Sequence, residues 1–127
     1  MARPQAAHRV KSYSSETGYV YQYYFFEVQK ARRDNVEGSE YVYMVSADRK
    51  TAFPLKIFFR HDALRDWTRR TGRALTGTEE YAVAKMRLFQ AFDETEALAT
   101  PLAPGAAHPD LVIDSANLPA LLEKLDL

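Results

Sequence analysis

The sequence predicts an α+β domain: an antiparallel three- to four-stranded meander followed by two helices, with a short C-terminal helix after a linker. Three observations predict it. Apolar residues alternate with period two through the first half of the chain, which marks pleated strands. Beyond residue 62 the period changes to 3.6, the helical repeat. An Ala/Pro/Gly-rich stretch then separates the last apolar segment from the rest.

The first strand is the most distinctive. Six of the eight residues from Tyr19 to Phe26 are aromatic, a composition suited to a sheet surface. Alternation over residues 19–30 puts Tyr19, Tyr21, Tyr23 and Phe25 on one face and Val20, Tyr24, Phe26 and Val28 on the other. The second set is the expected core, and the first is the set in need of a partner. The polar stretch 32–39 reads as a hairpin loop. A second strand over 40–46 sets Tyr41, Tyr43 and Val45 against Val42 and Met44. A third, over 51–60, sets Phe53, Leu55, Ile57 and Phe59 against Lys56, Phe58 and Arg60. Pro54 suggests an edge or a bulge near its start. Residues 8–13 are a candidate fourth strand, turned by Ser14 to Gly18.

Asp62 is placed to cap a first helix carrying Ala63, Leu64 and Trp67, and Gly72 to end it. Thr76 and Glu79 have capping-box spacing ahead of a second helix reaching about residue 94, with Tyr81, Met86, Leu88, Phe89 and Phe92 on its apolar stripe. Residues 1–96 thus form the expected core domain and 97–110 the linker. Leu111 to Ile113 suit a short strand, and Asn117 suits the cap of a helix bearing Leu118, Leu121, Leu122 and Leu125. Residues 111–127 are expected to dock on the core or on a neighbouring subunit.

At 127 residues, with 46% hydrophobic and 27% charged residues, the chain has an ordinary soluble composition. No cysteine is present, which excludes disulfides and thiolate chemistry. The first residues lack the apolar core of a secretory signal, and no apolar run has bilayer-spanning length, so a cytoplasmic protein without membrane contact is expected. Net charge is zero but segregated: residues 1–73 hold 14 Lys/Arg against 8 Asp/Glu, and residues 74–127 hold 3 against 9. Such segregation suits a basic binding face, docking of the two halves, or head-to-tail pairing of subunits.

Catalytic signatures are absent. His8, His61 and His108 fit no metal motif; there is no nucleophile elbow and no glycine-rich phosphate loop. No cofactor is implied. Glu27 is the exception worth following, because plain alternation sets it among Tyr23 and Phe25, where apolar rings would raise its pKa. The leading expectation is a non-catalytic association module that self-assembles through a tyrosine-rich sheet face. The residues expected to carry it are Tyr19, Tyr21, Tyr23, Tyr41 and Tyr43. With Lys56 and Arg60, and with Arg32 and Arg33 nearby, the same rings offer an alternative platform for single-stranded nucleic acid. A small-ligand pocket or enzyme built on Glu27 and the tyrosines is the remaining alternative.

Overall fold

The computed structural model describes residues 9–100 and 106–127. Five strands form one sheet in sequential order: β1 (Lys11–Ser14), β2 (Val20–Arg33), β3 (Val36–Ser46), β4 (Phe53–Arg60) and β5 (Leu111–Ile113). The first four are an antiparallel meander, as expected, and β5 lies parallel to β4. Helices α1 (His61–Thr71) and α2 (Gly77–Glu94) fall between β4 and β5, and α3 (Leu118–Lys124) follows. A parallel neighbour needs a crossover, and the two helices supply it.

The 32–39 stretch is mostly strand rather than loop. Asp34 and Asn35, with φ of 52° and 63°, make a two-residue turn. Two left-handed residues match the twist of a hairpin, and Asp and Asn tolerate that region. Extension of β2 and β3 to this turn gives strands of 14 and 11 residues. His8 lies outside the described residues, and the first strand begins at Lys11. Pro54 needs no bulge: β5 pairs only with Ile57 to Phe59, so Pro54 sits where β4 has no neighbour on that side.

A bulge does occur in β2, where the register shifts between Phe25 and Glu27. Phe25 opposes Tyr43 and Glu27 opposes Val42, so Phe26 is the extra residue and parity reverses beyond it. Glu27 therefore shares a face with Val42, not with Tyr23 and Phe25, and is exposed. Val28 opposes Tyr41 and leaves the set of Val20 and Tyr24.

All the helices contribute to the core on the tyrosine side. Tyr21, Tyr23, Tyr41, Tyr43, Leu55, Ile57 and Phe59 join Ala63 of α1, Leu88 and Phe92 of α2, and Leu118 and Leu122 of α3 in one buried cluster. The expected coverage is thus inverted: Val20 is 44% exposed and Phe26 47%, whereas Tyr21 and Tyr43 are fully buried. Alternation along one strand cannot decide which face is covered. The whole sheet decides, because Leu55 and Ile57 lie in register with Tyr43 and Tyr41, while the other face intersperses Gln22, Glu40, Ser46, Lys56 and Arg60. Rings of α2 fill the gap between the layers. Phe92 stacks on Tyr21 at 4.2 Å and Phe89 on Tyr13 at 4.3 Å; Tyr81 meets Phe25 edge-on at 5.3 Å.

Helix ends follow the sequence with two departures. The capping box of α2 is complete, with Thr76 Oγ1 accepting from the Glu79 amide at 3.1 Å and Glu79 Oε1 from the Thr76 amide at 2.9 Å. Gly72 closes α1 at φ 74°. Asp62 does not cap α1; it lies inside the first turn, where the guanidinium of Arg60 binds it at 2.9 and 2.6 Å. Asn117 precedes α3 but turns its amide back to Asp114 and Val112, both at 2.9 Å, bracing β5 instead. Between α2 and β5 the chain makes a 3₁₀ turn, Ala97–Ala99, that buries Leu98.

Candidate functional site

Four of the five expected interface tyrosines are core residues. Tyr21, Tyr23, Tyr41 and Tyr43 lie between sheet and helices; of the five only Tyr19, just before β2, is exposed, at 41%. The hydroxyls of Tyr21 and Tyr43 are buried without a hydrogen bond among the described residues. Burial, and then the neighbouring Tyr81, hold the Tyr43 phenol well above its ordinary pKa. Burial, with Glu80 adding to it, pushes Tyr41 up to about 12. These phenols are neutral at physiological pH.

The two cations of β4 lie on the opposite face. Lys56 opposes Val42 and Arg60 opposes Gly38, both on the outer side of the sheet. Each is paired: Lys56 with Glu40 at 3.6 Å, and Arg60 with Asp62 at 2.6 Å. Arg32 meets Glu37 at 3.7 Å, and Arg33 bridges Glu40 at 2.7 Å and Asp110. The tyrosines are therefore separated from Lys56 and Arg60 by the thickness of the sheet, and all four cations are already paired. No platform of stacking rings with phosphate-binding neighbours is assembled from them.

The Arg33 network has a packing origin. Gly38 leaves room for the Phe58 ring to lie against β3, since a Cβ there would stand 2.6 Å from Phe58 Cε1. Arg33 then covers Phe58, its guanidinium carbon 5.4 Å from the ring centre. Glu40 beside it is buried and depends on Arg33 and Lys56 for compensation.

What remains of the outer face is largely apolar and in part exposed. Val20, Tyr24 and Phe26 of β2, Met44 of β3 and Val112 of β5 lie on it. Between Val10, Gln22, Tyr24, Met44, Arg49 and Ala52 the surface sinks into a depression of about 240 Å³. Plain alternation named Val20 and Phe26 but assigned them to the core. The bulge that lifts Phe26 out of register had no sequence signal, because no glycine marks it.

Histidines and carboxylates do not converge. His61 Nε2 lies 3.2 Å from Ser39 Oγ, and His108 packs on Phe53 at 4.4 Å. Among the described residues no three His, Asp or Glu side chains are grouped to hold a metal ion, and no helix is long and apolar enough to cross a membrane. The fold and this site define a two-layer α+β protein with one sheet face covered by helices and the other not. No protein-family model, curated protein or solved structure matches the chain.

Proposed function

We propose that this chain is a non-catalytic association module whose partner is a second copy, docked sheet to sheet across the outer face. The observation that carries this reading is the exposure of Val20 and Phe26 on the face opposite the helices. Association along the sheet edge is the competing mode, since β1 pairs with β2 only from Val20 to Tyr23 and β5 with β4 only from Ile57 to Phe59. Face packing is the mode that the exposed apolar side chains of the outer face favour. The outer face also carries complementary relief: Phe26 stands at the bulge, and the depression beside Tyr24 and Met44 has room for an aromatic ring. In a two-fold pair each copy would offer its Phe26 to the other's depression, the arrangement an isologous interface requires.

Light scattering on the purified protein tests this. A dimer at micromolar concentration is expected, with Val20→Asp and Phe26→Asp each giving a folded monomer. A wild-type monomer, or a dimer indifferent to both substitutions, refutes the proposal.

A further inference from the structure

A second site lies at the junction of β1, β2 and α2, next to the depression of the outer face, with which it shares Tyr23 and Tyr24 as lining. Tyr81, Lys85 and Phe89 are spaced four apart on α2, so they form one row along the helix. That row faces β2: Tyr81 meets Phe25, and Phe89 meets Tyr23 edge-on at 5.6 Å. The Lys85 ammonium stands 5.9 Å from the Tyr23 ring and 5.8 Å from Phe89. Across the cleft, β1 pairs Lys11 directly opposite Tyr23, and Arg9 lies two residues earlier. Arg9, Lys11 and Lys85 with Tyr23, Phe25 and Tyr81 enclose a cleft of about 210 Å³.

Three cations converge here and none has a counter-ion. All 17 Asp and Glu residues of the chain lie within the described residues. None of them forms an ion pair with Arg9, Lys11 or Lys85, in contrast to Arg32, Arg33, Lys56 and Arg60. Like charges held together beside apolar rings are destabilising until an anion joins them. Burial above all, and then the adjacent Lys11, lower the pKa of Lys85.

We propose that this cleft binds a phosphomonoester dianion, with the group esterified to the phosphate lying against Phe25 and Tyr81. Two negative charges answer three cations better than a single carboxylate does. The volume suits one phosphate and one ring, below the usual range for larger cofactors. Lys85 and Lys11 supply charged donors, and Arg9 supplies a planar fork for the phosphate oxygens at the mouth.

Calorimetric and NMR titrations of the full chain with phenyl phosphate, inorganic phosphate and phenol test the assignment. Phenyl phosphate is expected to bind saturably and to shift the Lys85 side-chain signals. Inorganic phosphate should bind at the same place roughly three- to tenfold more weakly, for want of ring contact. Phenol should not bind measurably. Lys85→Gln and Lys11→Gln should each weaken phenyl phosphate by about tenfold or more, and Arg32→Gln, remote from the cleft, should not. Circular dichroism establishes that each variant is folded. Absence of saturable phosphate binding at low salt overturns the proposal. So does equal loss in Arg32→Gln, which would signify non-specific attraction. Equal affinity for the two phosphates overturns the role given to the rings.

Discussion

Tyr43 distinguishes a buried aromatic layer from a binding surface more sharply than any other residue. It is fully buried, in register with Phe25 and Leu55, and surrounded by the rings of Tyr23 at 6.3 Å, Phe25 at 5.6 Å and Tyr81 at 6.5 Å. Its hydroxyl has no hydrogen bond among the described residues. Removing that oxygen alone, in Tyr43→Phe, relieves an uncompensated desolvation and keeps every ring contact. Stability should rise by about 1 kcal/mol, the low end of the cost of an unsatisfied buried polar group. Tyr43→Ala removes the ring as well and should cost about 3–5 kcal/mol. For a domain whose whole stability is about 5–15 kcal/mol, that loss is severe. Urea unfolding followed by far-UV circular dichroism measures both, provided the m-value is unchanged. Destabilisation of Tyr43→Phe by about 1 kcal/mol or more would refute the reasoning, because the hydroxyl would then be making a bond worth that much. A Tyr43→Ala variant of wild-type stability that had lost only self-association would refute it from the other side.

Two further outcomes follow from the core. Gly38→Ala places a Cβ 2.5 Å from the Phe59 carbonyl oxygen and should cost about 2–3 kcal/mol, since backbone of β4 must move. Gly77→Ala, with nothing within 4 Å, should be neutral or slightly stabilising in the same urea unfolding; equal effects at the two sites would disprove the close approach. Alkaline pH should unfold the domain. Tyr13, desolvated and bonded to Asp93, and Tyr41 are both raised to about 12, while unfolded tyrosine ionises near 10. The unfolded state therefore binds fewer protons above pH 10. The stability these groups contribute is complete below pH 10 and is lost as pH rises towards 12, by up to about 1.4 kcal/mol per pH unit for a fully desolvated phenol. A urea midpoint that stays constant from about pH 9 to about pH 11 would contradict this.

The architecture was largely legible because it rests on local signals. Strand alternation located β2, β3 and β4; the Thr76–Glu79 box and Gly72 marked helix ends. The candidate site was much less so. Its location depends on which sheet face the helices choose, a property of five strands summed, and no single strand contains it. The Phe26 bulge depends on β3, since only pairing shows that Val42 faces two residues of β2. Lys85 gave no signal either: it reads as an ordinary surface lysine until α2 is laid against β1. Asp62 and Asn117 have the residue type of helix caps, but neighbours two to five residues earlier in the chain hold their side chains instead.

The placement of β5 has a consequence for how the chain reaches this structure. Ile57 and Phe59 wait for Leu111 and Ile113, some fifty residues later, and α3 brings Leu118, Leu121 and Leu122 after that. The meander and its hairpin use neighbours close in sequence and form early, whereas the last strand must close a long loop. During synthesis the aromatic layer is thus assembled before its final aliphatic covering has left the ribosome. For that interval the nascent chain exposes Ile57 and Phe59 at an open sheet edge, and this is when it is most prone to aggregate or to be held by a chaperone.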